Sequence, residues 1–379
     1  MKKSDFATLI VYILMFVIAI FAGTMVIGPA LEQLELSTTS SRYLFAILAI
    51  LLGLIVNILL VEVGHILGAK LGGYRILSVN ILGLCLYQQK GKWRLTFRGF
   101  DGFTGETRIV AKNEKSSPKL YSWGPLFLYA LEAIALIFAY SIIENPSGSA
   151  VEFSAYVKHA SLIFITIGGM LMFYNIMPFQ MDTMNDGYRL MLINKPINVK
   201  AFNALSLIEE KTINHEEISQ IATFSEITIL TSQVNLHAIH QRIHLQDFAT
   251  AETLIDEIIE NKSRVSVEVV SQAAAQKIYL LLGRGENAQA EEYFMNTMDK
   301  EMRKFIGNDL ALPTLRAYFL YSGLVSKSVS ECAFVLGRLK KARSREQNVH
   351  LRAIEEKLFN ETLTRVKEAN PTWEFADFE

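Results

Sequence analysis

Glu62 and His65 stand three residues apart at the end of a long apolar run; Asn175, Pro178, Asp186 and Gly187 follow at and just beyond the end of another. Glu-x-x-His is the second half of the zinc-hydrolase helix pattern His-Glu-x-x-His. There, two histidines one turn apart reach one metal, and the Glu between them acts as general base on the bound water. The first histidine position is occupied here by Val61. An alkyl side chain has no lone pair to give, so three chemistries stay open: a working hydrolase, a hydrolase with a rearranged metal centre, and a protein that no longer holds the metal. Asp186 lies where a carboxylate would swing back toward His65, with Gly187 permitting a tight turn. Asp182, four residues earlier, shares a face with Asp186 if that stretch is helical, and would make an oxygen-rich set of one His and two Asp. Pro178 breaks the backbone ladder where its helix ends, which at membrane depth is tolerated only against protein or a wet cavity.

Positioning these residues requires apolar helices. The chain has 379 residues, 51% hydrophobic and 20% charged, and its apolar residues crowd the first half, so a membrane domain (1–197) precedes a soluble one (198–379). Four stretches, 6–27, 43–65, 120–143 and 156–177, reach the roughly 20 apolar residues that a helix needs to cross a bilayer. The first follows Lys2 and Lys3 but is too long for a signal h-region, and is expected to be an uncleaved span. Lys and Arg are absent from 28–41 and 144–157 and abundant between Lys70 and Lys119, which places both termini in the cytoplasm. A net charge of −1 offers no drive toward nucleic acid, and Cys85 and Cys332 match no metal or disulfide pattern.

Between the second and third spans, Arg75–Ile81 and Trp93–Phe97 are β-rich runs around the polar turn Gln88–Lys92, a β-hairpin or small sheet at the membrane surface within a loop 74–118. A strand edge there would hold a target peptide in extended form by β-augmentation; a plain amphipathic connector is the alternative. From about Asn198 the apolar period is helical. Ala251-Glu252, Ala290-Glu291 and Ser330-Glu331 open amphipathic runs at spacings of 39 and 40, in the range of tetratricopeptide-like helix pairs that present a face to protein partners. An irregular helical bundle satisfies the same pattern. His237, His240 and His244 share one helix face, read as solvated, and the basic run Arg338, Lys340, Lys341, Arg343 and Arg345 reads as a solvated or lipid-facing surface. Glu132, inside the third span, either lines a polar cavity or fixes helix packing through a hydrogen bond.

The stretch from Tyr43 to Leu190 resembles the site-2 protease family of intramembrane zinc metallopeptidases. The resemblance rests on Glu62-Val63-Gly64-His65 followed by Ala69-Lys70-Leu71-Gly72-Gly73-Tyr74, on Ser122-Trp123-Gly124-Pro125 opening the third span, and on Asn175-x-x-Pro178 with Asp186-Gly187. It implies zinc held by His65 and Asp186, with Glu62 as the base, Asn175 as a substrate-orienting or oxyanion-side polar group, and a transmembrane or membrane-associated peptide as substrate. Val61 in place of the first ligand, and an interval from Pro178 to Asp186 longer than the family's, both depart from that pattern.

The expected architecture is an α-helical polytopic membrane protein with a site-2-protease-like core and a small β-hairpin, followed by an all-α, tetratricopeptide-like cytoplasmic domain. The expected location is the plasma membrane of a bacterium, multi-pass. Its expected function is to bind a membrane peptide or small membrane protein as a pseudoprotease with impaired zinc binding; the alternative is an active zinc metallopeptidase with a rewired metal site. A cytosolic protein partner of the helical domain is expected as well, and nucleic acid is not.

Overall fold

The computed structural model describes residues 3–32, 39–97, 99, 105–143, 151–178, 184–218, 220–346 and 348–375. The protein is mostly helical with a small antiparallel sheet, and divides into two compact units, Met1–Val199 and Lys200–Glu379.

In the first unit, α1 (Lys3–Ala22) runs through a single π turn at Gly23–Ile27 into α2 (Gly28–Glu32). α3 (Thr39–Leu71) follows, then β1 (Tyr74–Ile81), β2 (Leu84–Gln89), β3 (Lys92–Phe97) and β4 (Gly105–Ala111), then α4 (Lys119–Ile142), α5 (Val151–Ile176) and α6 (Asp186–Leu192). Four helical stretches are long and apolar enough to cross a membrane: Tyr12–Glu32, Thr39–Leu71, Lys119–Ile142 and Ser154–Ile176. They display large apolar side chains outward, among them Phe16, Phe127 and Phe138, a surface suited to lipid rather than to water.

α3 corrects the expectation that its helix stops near His65. It continues six residues further and, at 1.5 Å per residue, is about 50 Å long, against about 30 Å of hydrocarbon. Its end is set by Gly72 and Gly73, the latter at φ +84°, where the chain turns into β1. Gly64 and Gly68, one turn apart, let α3 lie against the first turns of α4. A Cβ on Gly64 would stand 2.6 Å from Pro125 Cα, and one on Gly68 or Gly124 would strike the facing backbone. Small residues at this spacing allow two helices in a membrane to touch backbone to backbone. Pro125 lies inside α4 rather than at its start. α5 is tied to α3 by the buried Asn57, whose Nδ2 donates to the Gly53 and Phe164 carbonyls, and to α4 by the Tyr129 hydroxyl donating to the Ile165 carbonyl.

Of the two forms expected for the β region, hairpin or small sheet, the structure has the sheet. Four strands pair in the order β3-β2-β1-β4, all antiparallel. The central addition is Leu84–Gln89, and its Gln88 and Gln89 lie in β2 rather than in the expected turn. Both hairpin turns are two residues with positive φ, Leu82-Gly83 and Lys90-Gly91, the geometry whose twist matches the flanking strands.

The second unit contains most of α7 (Pro196–Asn214), followed by α8 (Ile229–His244), α9 (Phe248–Glu260), α10 (Val267–Gly283), α11 (Asn287–Glu292), α12 (Lys300–Asn308), α13 (Leu312–Leu324), α14 (Val329–Arg345) and α15 (Val349–Ala369). Starts are written in the sequence as caps: the side chains of Thr228, Asp247, Ser266, Asp299, Ser328 and Asn348 each accept a first-turn N–H. α8 packs on α9, α9 on α10, α10 on α13, and α13 on α14 and α15, around a continuous core that includes Ile239, Ile255, Ala273, Leu282, Phe319 and Val366. Ala251 and Ala290 are each the fourth residue of a helix and fully buried, whereas Ser330 is the second residue of its helix and exposed, so the 39/40 spacing marks helix starts without repeating their environment. The basic run is partly structural: Arg338 donates to the Gly307 and Asn308 carbonyls at the end of α12, and Arg343 pairs with Glu356 at 3.3 Å.

Candidate functional site

Glu62 and His65 occupy one face of α3 because they are three residues apart, and that face is turned inward by the Gly64–Gly124 contact on the neighbouring side. The chain returns to them twice. β4 brings Thr107, whose hydroxyl donates to Glu62 Oε2 at 2.5 Å, while the Tyr121 hydroxyl of α4 donates to the Thr107 carbonyl at 2.7 Å and holds the strand in place. Gly105, at the start of β4, is required by the same approach: a Cβ there would stand 2.5 Å from Glu62 Oε1.

The second return is made by α5 and α6. α5 stops at Ile176, two residues before Pro178, because the residue preceding a proline is steered away from the helical region. Asn185 then caps α6 with its side-chain oxygen on the Tyr188 N–H and ties the new helix back to α5 through its Nδ2, which donates to the Tyr174 and Met177 carbonyls. Asp186 and Gly187 are therefore the first residues of a helix and not a turn. Gly187 is needed for proximity: a Cβ would collide with the Ile176 and Met177 backbone.

Around Asp186 the polar groups close up. His65 Nε2 lies 2.9 Å from Asp186 Oδ2, and Asn175 Nδ2 donates to the same oxygen at 2.5 Å while its Oδ1 accepts the Asp186 N–H at 3.2 Å. Arg189, one turn along α6, donates to Oδ1 at 2.6 Å, reaches Ser122 Oγ at 3.4 Å, and lies over the Tyr121 ring at 4.8 Å. The same ring stacks on His65 at 4.7 Å between centroids. Nδ1 of His65 is 3.5 Å from Glu62 Oε2 and makes no hydrogen bond among the described residues. Glu62 and Asp186 are each 2% exposed, and carboxylates this deeply buried need partners. Burial alone would push the Asp186 carboxyl up; His65, Arg189 and Asn175 outweigh it and hold it below the usual carboxylate range.

The structure thus brings together Glu62, His65, Asn175, Asp186 and Gly187, with Gly124 and Pro125 at the helix contact beneath them and Pro178 exposed just beyond α5. Asn175, expected to orient substrate, has both polar atoms engaged by Asp186 and acts as a positioning residue for it. Asp182 lies outside the described residues. Glu132 does not join the cluster: it is half-buried on α4 and its Oε2 has no hydrogen-bond partner among the described residues. Thr107, Tyr121 and Arg189 join the site without having been expected from sequence. Arg189 carried a signal, an opposite charge at i+3 from Asp186 on a short helix; Thr107 carried none.

A zinc ion fits this set poorly. A hydrolytic centre takes three protein ligands and a water, and Val61, on the His65 face one turn earlier, supplies none. Among the described residues no group of three or more His, Cys, Asp or Glu is placed to hold a metal. Both Asp186 oxygens already accept hydrogen bonds, one of them from a guanidinium. No protein-family model, curated protein or solved structure matches the chain.

Proposed function

We propose that this is a site-2-protease-like, multi-pass membrane protein that binds a membrane peptide or small membrane protein and does not hydrolyse it. The observation that carries this reading is the closed cluster on Asp186, in which His65, Asn175 and Arg189 satisfy the carboxylate while Val61 stands where the third metal ligand would be. With two ligands, zinc is weakly held and its water poorly activated. The chain's own residues retain a structural role, tying α3, β4, α5 and α6 together at one buried point.

The peptide is accommodated at the sheet. Among the described residues β4 pairs only with β1 and is an edge strand, and its Thr107 touches Glu62. An extended segment added along that edge runs past the cluster, with main-chain hydrogen bonds supplying affinity. In this reading both termini are cytoplasmic, the membrane is the plasma membrane of a bacterium, and the stacked pairs α8–α9, α10–α11 and α13–α14 form a tetratricopeptide-like recruiting domain.

Metal analysis of the purified protein tests the central point. The expected result is well under one zinc per chain, rising in Val61→His as the i, i+4 histidine pair is restored. Stoichiometric zinc in the unaltered protein that Asp182→Ala removes would establish the alternative, an active metallopeptidase with a rewired ligand set.

A further inference from the structure

The histidine face of α8 is not the solvated surface that its spacing suggests. His237, His240 and His244 line a cavity of about 470 Å³ within the helical unit. That is the size of a small-ligand or peptide side-chain pocket. Among the described residues its wall contains four histidines and four glutamates, and no lysine or arginine. Glu355 is already committed, accepting from His244 at 2.6 Å and from the fully buried Arg316 at 2.9 Å. Glu217 and Glu268 are exposed, and among the described residues they form no ion pair and His240 Nε2 has no hydrogen-bond partner. Burial holds the imidazole of His240 down at about 3, so that ring adds no positive charge at neutral pH. Partial desolvation at the cavity rim and the neighbouring Asp309 push the Glu268 carboxyl up, the direction that a bound cation would reverse. The rest of the wall is apolar, with Leu205, Ile221, Leu236 and Leu312 among its residues.

An acidic, cation-free wall with an apolar lining selects a positive charge carried on an apolar stem. We propose that this cavity binds a Lys- or Arg-bearing peptide segment with apolar neighbours. A lysine or arginine side chain buries its methylenes along Leu236 and Leu312 and presents its head to Glu217 and Glu268. Such segments are what membrane proteins place next to a span on the cytoplasmic side. That the segment is the flank of a membrane partner rests on the function proposed above; the chemistry of the cavity does not.

The test uses the full chain in zwitterionic-lipid nanodiscs and a capped pentapeptide, Leu-Lys-Leu-Arg-Leu, with two controls: the same peptide carrying Glu at both basic positions, and hexylamine. The expected result is saturable binding of the basic peptide at one site per chain, no binding of the acidic peptide, and at least a tenfold loss of affinity in Glu217→Gln/Glu268→Gln. Both side chains are exposed, so the double variant leaves the core intact. Absence of binding, equal binding of the acidic peptide, or unchanged affinity in the variant overturns the proposal. Hexylamine competing as well as the peptide shows a small-amine site and overturns the peptide occupant. Zinc content and the effect of Val61→His do not depend on any of these outcomes, so failure here is distinguishable from failure of the pseudoprotease reading.

Discussion

Each unit of the protein contains a buried His–carboxylate–Arg triad with the Arg laid over a tyrosine ring, and the two do different things. In the first unit His65 and Arg189 meet on Asp186, and Arg189 covers Tyr121. In the second, His244 and Arg316 meet on Glu355, and Arg316 lies 3.9 Å from the Tyr279 centroid. The second triad joins α8, α13 and α15 and, among the described residues, takes up no second carboxylate; beside it Arg316 Nη1 and Gln276 Nε2 lack hydrogen-bond partners among those residues. The first is extended by a second carboxylate, Glu62, and by Asn175, so that groups from α3, β4, α5 and α6 converge on it. A triad of this kind is therefore no mark of chemistry by itself. The first differs from the second by an additional acid beside the histidine and an amide on the carboxylate.

The comparison can be broken by removing each carboxylate in turn. Glu355→Ala should have the larger effect, about 3–5 kcal/mol off the stability of the helical unit, because it strands a guanidinium with no exposure. Hydrogen exchange of α13 and α15 in the full chain reads this directly, and an unchanged exchange rate would show that Arg316 finds another partner. Asp186→Ala should cost less, about 2–3 kcal/mol, since the Arg189 side chain retains 14% exposure and can turn to water. Protection of α6 reports it; a loss equal to that of Glu355→Ala would make the first triad as much a fastening as the second.

The smallest effect sharpens the contrast through pH. Burial pushes the Glu355 carboxyl up, but Arg316 and His244 outweigh it and hold it at about 2, below its ordinary 4.5. A depressed carboxyl contributes its full stability above its unfolded value and loses it as pH falls through the folded one. The helical unit should thus lose stability between about pH 4.5 and about pH 2 more steeply than Glu355→Gln, whose neutral amide does not titrate. Parallel acid profiles for the two proteins would show that the pairing contributes nothing in this window.

Local chemistry is legible wherever a pattern is contained within one element. Long apolar runs announce the four apolar helices, and Ser, Thr, Asp and Asn at the starts of amphipathic runs announce the helices of the second unit. Where elements end is less clear. α3 outruns its expected boundary because nothing between His65 and Leu71 breaks a helix, and the strand Leu84–Gln89 is hidden because its polar end imitates a turn.

Glu62 and His65 sharing a face, with Val61 on the ligand position one turn before, follow from helical periodicity alone. That Asp186 reaches them does not follow, since 121 residues separate it from His65 and only the packing of α4 and α5 on α3, and of α6 on α4 and α5, closes that distance. Thr107 on Glu62, Asn175 taken up wholly by Asp186, and the α8 histidines facing a cavity instead of water are likewise products of which surfaces meet. Periodicity is a property of neighbouring residues and is written in the chain. The partner of a buried polar group is chosen by the fold, because the cost of leaving it unsatisfied is felt only once water has been excluded.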